Sequence, residues 1–235
     1  MALAESRTRA QALIRAGRVL VDDVPVDKPG TRVRDEAVLR VRGGDRRFVS
    51  RGGEKLAGAL ADLGIDPAGR LCLDIGASTG GFSDCLLQAG ARHVVAVDVG
   101  YGQLHERLRQ DERVSVLERT NARDLDADAL PAGIELVTAD VSFISLRLLL
   151  TPVARVAPTA ECLLLVKPQF EVGREQVGKG GVVRDDALRA AAVDAVRDVA
   201  EELGYTEAGR VDSRMAGPKG NREIFLWLRP PVARS

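Results

Sequence analysis

The residues with the clearest capacity for chemistry are three aspartates and a lysine, each standing where an apolar run stops. Asp74 lies in Leu71-Cys-Leu-Asp-Ile-Gly-Ala-Ser-Thr-Gly-Gly-Phe82, Asp98 follows Val94-Val-Ala-Val97, Asp140 follows Leu136-Val-Thr-Ala139, and Lys167 follows Leu163-Leu-Leu-Val166. If these runs are strands, all four sit at carboxyl ends, the edge where open α/β sheets bind ligands. A strand that turns through glycines into a helix also presents bare backbone amides and a helix N-terminus. The spacing Gly76-x-x-x-Gly80-Gly81 is not the dinucleotide G-x-G-x-x-G. An aspartate followed by Gly-x-Ser-Thr-Gly-Gly is the pattern expected around S-adenosylmethionine, with an ordinary tight strand–helix turn as the alternative. Asp74, Gly76, Ala77, Ser78, Thr79, Gly80, Gly81 and Phe82 are therefore candidate cofactor contacts. An acid at 98 can accept both ribose hydroxyls of an adenosine, which does not separate NAD from S-adenosylmethionine, or it can cap a helix. Asn121 and Asp124 follow the next apolar run and could reach the adenine.

Asp140, in Thr138-Ala-Asp-Val-Ser-Phe-Ile-Ser145, can face cofactor and substrate together, or cap the helix that follows. Lys167 is either a surface lysine at a strand exit or a partly desolvated amine, and desolvation lowers an amine's pKa. Glu223, in Gly220-Asn-Arg-Glu-Ile-Phe, and Lys55, in Arg51-Gly-Gly-Glu-Lys-Leu56, carry no signal of their own. His93 and His105 form no constellation and read as structural; without a histidine partner, Ser78, Ser83 and Ser142 make no triad. Cys72, Cys85 and Cys162 are widely spaced in apolar runs with no C-x-x-C pair. They read as core thiols of a cytoplasmic protein without a metal site.

The elements that must hold these groups alternate. Strands are expected at 71–75, 93–98, 113–117, 134–139 and 161–166. Helices are expected at 54–63, 81–89, 103–109, 145–156 and 185–203, and strands at 205–212 and 223–229 close the chain. Such alternation predicts an α/β fold, a parallel sheet with helices on both faces. The last two strands are expected at the edge, the final one antiparallel. Pro168–Arg184 reads as a long irregular loop beside a strand end, and such loops are usually functional.

Ahead of this lies a small α+β module. A helix runs from Ser6 as N-cap to Gly17 as stop, with Ala10, Leu13 and Ile14 on one stripe. Short strands follow at 19–21, 24–26 and 37–41. Domains are expected at 1–43 and 54–235, joined by a linker at 44–53. Residues 1–55 hold 13 lysines and arginines against 8 acids, although the whole chain is neutral. A basic head suggests a polyanion partner, with Arg7, Arg9, Arg15, Arg18, Arg46, Arg47 and Arg51 as contacts. No run of about 18 apolar residues exists to cross a membrane.

At these residues the chain resembles a known family. Ala4-Glu-Ser-Arg with Arg9-Ala-Gln-Ala-Leu-Ile14, Val26-Asp-Lys-Pro-Gly30, Ser50-Arg-Gly-Gly-Glu-Lys-Leu56, Leu73–Phe82, Asp140-Val-Ser-Phe-Ile-Ser145, Val166-Lys-Pro-Gln-Phe-Glu171 and Gly220-Asn-Arg-Glu223 follow the order of the TlyA family of ribosomal RNA 2′-O-methyltransferases, historically also labelled haemolysins. The resemblance implies an S4-like RNA-binding module and an FtsJ-like, Rossmann-like methyltransferase domain with a mainly parallel seven-stranded sheet. It implies a catalytic tetrad of Lys55, Asp140, Lys167 and Glu223, with Lys167 as base, Asp140 and Glu223 orienting it, and Lys55 positioning the hydroxyl. It also implies S-adenosylmethionine as cofactor, ribosomal RNA in ribosomal subunits as partner, and cytidine as target; a monomer is expected. Two departures stand out. The further helix that usually opens the family is absent, so the S4-like module is clipped or starts upstream. Phe48 stands where a tryptophan or tyrosine is expected.

A free lysine, pKa about 10.4, is a poor base at neutral pH, and burial beside another cation, here Lys55, would bring it toward about 7–8. Carboxylates act the other way. The competing readings are a non-catalytic ribosome-binding assembly factor and an NAD-dependent oxidoreductase, against which the glycine spacing argues.

Overall fold

The computed structural model describes residue 4 and residues 7–34, 36–41, 47–217 and 219–231. The chain divides into two compact units, Met1–Arg47 and Phe48–Ser235. In the first, helix α1 (Arg7–Arg15) precedes strands β1 (Val19–Val21), β2 (Val24–Val26) and β3 (Leu39–Val41), arranged as an antiparallel sheet in the order β2-β1-β3. Gly17 ends α1 at φ +62°, and the Arg18 amide reaches back to the Leu13 carbonyl. Asp22 and Asp23 both take positive φ, as a tight two-residue hairpin turn requires. The third strand is shorter than the expected 37–41, and the proposed cap Ser6 lies outside the described residues.

The second unit opens with α2 (Arg51–Leu63), capped by Ser50, whose side chain accepts from the Gly52 amide. The helix therefore takes in Arg51, Gly52 and Gly53, which the sequence assigns to a linker. They can be helical because Gly53 packs flush on Phe48, where a β-carbon would lie 2.3 Å from the ring. Next come β4 (Leu71–Ile75), α3 (Gly81–Gln88), β5 (His93–Val97), α4 (Glu106–Arg109), β6 (Val114–Leu117), β7 (Leu136–Ala139), α5 (Arg147–Val156), β8 (Glu161–Val166), α6 (Pro168–Glu171), α7 (Asp186–Glu202), β9 (Thr206–Asp212) and β10 (Ile224–Arg229). The sheet order is β6-β5-β4-β7-β8-β10-β9. The first five strands are parallel, and β10 runs antiparallel to both β8 and β9. The final strand is thus antiparallel as expected but not an edge strand: it inserts between β8 and β9, leaving β9 outside. Helix α4 begins at Glu106, not 103, because His105 caps it, accepting from the Arg107 amide. The 168–184 segment is less irregular than expected, containing α6 and a Gly178–Val182 bridge.

Alternation along the strands builds two cores. Leu73, Ile75, Val95, Val137, Leu164 and Leu226 face one way with α5 and α7. Cys72, Val94, Ala96, Leu136, Leu163, Leu165 and Phe225 face the other way with α2 and α3. The period-two pattern of a strand assigns 74, 98, 140, 167 and 223 to the second face, the face that α2 covers. Asp84 on α3 ties this layer together. Its buried carboxylate accepts from the Val49 amide at 2.7 Å and from Arg107 Nη2 at 2.7 and 2.8 Å. Asp84→Ala leaves the Val49 amide unpaired and should lower stability by about 1–3 kcal/mol, read from urea unfolding followed by tryptophan fluorescence.

Candidate active site

The strand order reverses between β4 and β7, and the site is built there. The Asp140 amide donates to the Ile75 carbonyl at 3.0 Å, and the Gly76 amide to the Val97 carbonyl at 2.9 Å. Gly76 stands at φ +81°, and a β-carbon on it would lie 2.7 Å from the Asp140 carbonyl oxygen. Only glycine lets the two strand ends approach so closely. Above them opens a cleft of about 750 Å³, lined by Gly76, Ser78, Asp98, Asn121, Asp140 and Ser142 among polar groups and by Ile75, Val97, Val99 and Leu149 among apolar ones. Asp98 Oδ2 accepts from the Ser78 amide and Oδ1 from the Gly100 amide, each at 2.7 Å. The carboxylate is held rigidly, and each oxygen keeps a lone pair for a ligand hydroxyl.

Of the ten expected cofactor residues, Gly76, Ser78, Asp98 and Asn121 line this cleft. The other six lie outside that lining. Asp74 is fully buried beneath the turn, accepting from Ser83 Oγ at 2.6 Å and Thr138 Oγ1 at 3.2 Å. Ala77 is buried, and the Thr79 carbonyl receives the His105 amide. Gly80 and Gly81 give room to neighbouring elements: β-carbons there would strike Leu108 and Ser50. Phe82 is a core residue, its ring stacked 6.0 Å from Phe225. A glycine-rich turn has an inner and an outer side, and local sequence does not say which residue takes which. Asp124 is exposed and outside the cleft.

The four tetrad candidates converge as two ion pairs. Lys167 Nζ lies 2.6 Å from Asp140 Oδ1 and donates to Ser142 Oγ at 2.9 Å. Asp140 Oδ1 is a buried atom, and the Lys167 ammonium stands against it as its charge partner. Lys55 Nζ donates to Glu223 Oε2 at 2.5 Å. Both lysines and Glu223 are buried. Glu223 thus meets Lys55, while Lys167 meets Asp140. Lys55 is not a bare cation beside Lys167, because Glu223 neutralises it.

A second cleft of about 380 Å³ adjoins Lys167 and Glu223, and its lining includes Gln169, Phe170, Lys219 and Asn221. Ser142 and Phe143 line both clefts. Phe143 is a non-glycine residue at φ +68° and 92% exposed, with its ring 5.3 Å from that of Phe170. Glu171 fastens this wall from behind, accepting from Ser145 Oγ at 2.5 Å and the Leu146 amide at 2.7 Å; burial raises its pKa. Buried Asn221 joins the Val183 amide to the Gly181 carbonyl. The sequence assigns no role to Gln169, Glu171, Lys219 and Asn221, and for Ser142 it speaks only against a triad. The available signal was their place in the segments flanking strand ends.

In the first unit, Arg7, Arg15 and Arg47 are exposed and Arg18 is half-buried. Arg9 lies in α1, and Arg46 lies outside the described residues. Arg51 is exposed on α2 of the second unit. The three cysteines are free and buried, and burial pushes the Cys72 and Cys162 thiols up to about 12. Among the described residues no helix is long and apolar enough to cross a membrane, and no cluster of His, Cys, Asp or Glu could hold a metal.

A reversed sheet with an inserted antiparallel strand, a ligand cleft at its switch point and a lysine–carboxylate seam define a methyltransferase class. Residues 48–230 match the FtsJ-like methyltransferases and residues 1–39 the S4 domain. The chain is 53% identical over 235 residues to the 16S/23S rRNA (cytidine-2′-O)-methyltransferase TlyA of Mycobacterium tuberculosis, covering 99% of this chain and 88% of that protein. It is 41% identical over 223 residues to Hemolysin A of Brachyspira hyodysenteriae, covering 94% and 92%. A solved structure of a hemolysin-named protein from Streptococcus thermophilus matches with a TM-score of 0.78 at 39% identity, covering 97% of this chain and 84% of that one. The chain belongs to the TlyA family.

Burial raises the Asp74 pKa from 3.8 to about 7 against the two hydroxyl donors. The folded state then holds a proton that the unfolded chain releases near pH 4. Stability from this residue is therefore greatest in acid and falls as pH rises from about 4 to about 7. Asp74→Asn should remove that fall. Its stability relative to the parent should improve by on the order of a few kcal/mol between pH 4 and pH 8, measured as paired urea unfolding curves.

Proposed function

We propose that this chain transfers a methyl group to a ribose 2′-hydroxyl of cytidine in ribosomal RNA, with Lys167 as general base. The observation that carries the proposal is the Lys167–Asp140 contact, where Asp140 and Ser142 line the larger cleft and Lys167 and Ser142 the smaller. The larger cleft has the size and mixed lining of a cofactor site. Gly76, Ser78, Asp98 and Asn121 are the residues to hold S-adenosylmethionine. Bound there, it supplies a methyl group already activated by the positive charge on its sulfur.

The remaining work belongs to the protein. The acceptor hydroxyl must be held in line with the methyl carbon, and positioning of this kind is worth roughly 7–11 kcal/mol. Its proton must leave as the oxygen–carbon bond forms and the carbon–sulfur bond breaks. In its neutral form Lys167 accepts that proton at Nζ, and Asp140 stabilises the ammonium so formed. Ser142 fixes the direction of the amine. Glu223 lines the smaller cleft and holds the buried Lys55, whose role is to help position the hydroxyl. The smaller cleft receives the target nucleotide, and the arginines of the first unit bind phosphates. Those contacts give affinity and register but little sequence choice. The relatives' described activities, on 16S and 23S rRNA for the Mycobacterium tuberculosis protein, support this assignment.

The test is transfer of label from S-adenosylmethionine to ribosomal subunits, followed by nucleoside analysis for 2′-O-methylcytidine; no label in RNA with folded protein rejects the proposal. Lys167→Ala should lower kcat by about 10²–10⁴-fold while calorimetry gives an unchanged cofactor affinity. Arg7→Ala and Arg15→Ala combined should weaken subunit binding and lessen its salt dependence, with the log–log slope falling by roughly one to two, read by filter binding at several salt concentrations.

A further inference from the structure

In the cleft beside Lys167, the side chain of Gln169 holds a buried acceptor that no contact within the described residues explains. Gln169 lines this cleft with Lys167, Lys219, Asn221 and Glu223. Its Oε1 is buried and accepts no hydrogen bond. The buried polar neighbours in the lining are all engaged: Lys167 with Asp140 and Ser142, Glu223 with Lys55, and Asn221 with Val183 and Gly181. The backbone explains how Gln169 comes to be there. Lys167 caps α6 and Pro168 opens it, so the chain turns at once and the next residue lies on the first turn beside the amine. An unpaired acceptor shielded from water is costly, and on a half-buried side chain in a cleft wall it points to a partner that arrives with the substrate and that a small turn of the side chain can meet.

We propose that Gln169 reads the nucleobase of the target nucleotide, with Oε1 accepting a hydrogen bond from the exocyclic amine of cytosine. This rests on the reading of the smaller cleft as the nucleotide site and extends it from reaction to choice of base. The Watson–Crick edge of cytosine carries an amino donor beside a ring-nitrogen acceptor. A primary amide offers the complementary acceptor and donor side by side. Uracil carries a carbonyl in place of the amine and would set one acceptor against another. Rotation of the amide by half a turn would reverse this choice, so preference for cytosine requires Oε1 to remain the inward atom. A glutamate at the same place has acceptors only: it accepts from the cytosine amine or from the uracil ring N–H and donates to neither base. A site that offers a buried acceptor rejects the analogue lacking the donor far more strongly than a merely apolar pocket would.

The experiment first maps the methylated nucleotide in ribosomal subunits with the parent protein, then compares kcat/KM on subunits carrying cytidine or uridine at that position. The parent should prefer cytidine by at least about tenfold to a hundredfold, the range of one good edge-on pair. Gln169→Leu should collapse that ratio toward one, mainly by losing rate on cytidine. Gln169→Glu should also lower it, because a carboxylate accepts from the uracil ring N–H as well as from the cytosine amine. Cofactor affinity by calorimetry, equal to that of the parent, certifies that each variant is folded. An unchanged ratio in Gln169→Leu overturns the base-reading role while leaving the methyltransferase assignment intact. The role also falls if the parent does not discriminate between the two bases. Absence of methyl transfer by the parent overturns both. If Gln169→Leu does not fold, an unchanged ratio in Gln169→Glu overturns the role in its place.

Discussion

Two lysine–carboxylate pairs at the carboxyl edge of a parallel sheet, one buried and one with its aspartate half-buried, set the terms for the rest of this structure. A charge removed from water is expensive unless a partner stands against it. Lys55 and Glu223 meet at 2.5 Å, and Lys167 and Asp140 at 2.6 Å. Each pair joins elements distant in the chain: α2 with the start of β10, and the end of β7 with the end of β8. The pairs therefore require that the sheet be complete and that α2 lie over its second face. Breaking one partner would leave the other charge buried alone, so the site and the fold around it are stabilised together.

The sheet order brings this about. If β10 lay at the edge, Glu223 would enter the sheet beyond β9, away from Lys167. Inserted between β8 and β9, it starts beside the end of β8, with Ile224 paired to Val166. Because β10 is antiparallel, its first residue meets the carboxyl ends of the parallel strands. A residue at the start of the last strand thereby joins residues at the ends of the fourth and fifth parallel strands. The reversal of order between β4 and β7 opens the neighbouring cleft, and Gly76 permits the close approach that makes it narrow.

Several residues that look like ligands serve the frame. Asp74, the most conspicuous acid in the sequence, lies under the turn and is held by two hydroxyls. Phe82 fills the layer between α3 and the sheet. Glu171 holds the wall shared by both clefts through Ser145 and Leu146. Such groups fix the places of Asp98, Asp140 and Lys167 without lining the clefts themselves. The positive φ of Phe143 belongs to the same wall, where backbone strain is supported by the packing behind it.

The sequence alone determined the alternation of strands and helices, the glycine turn at 76–81 and the acids and lysine at strand ends. These are local matters: periodicity and turn chemistry act over a few residues, and a period of two also implies which strand-end groups share a face. The family motifs added Lys55 and Glu223, whose neighbourhoods say nothing of chemistry. Tertiary structure alone decided that Glu223 pairs with Lys55, 168 residues away, that β10 is internal, and that Asp74 and Phe82 turn inward while Ser142 and Gln169 turn toward the clefts. Those outcomes depend on which strands exchange hydrogen bonds and which side chains compete for the same buried volume, and neither quantity exists until distant parts of the chain have met.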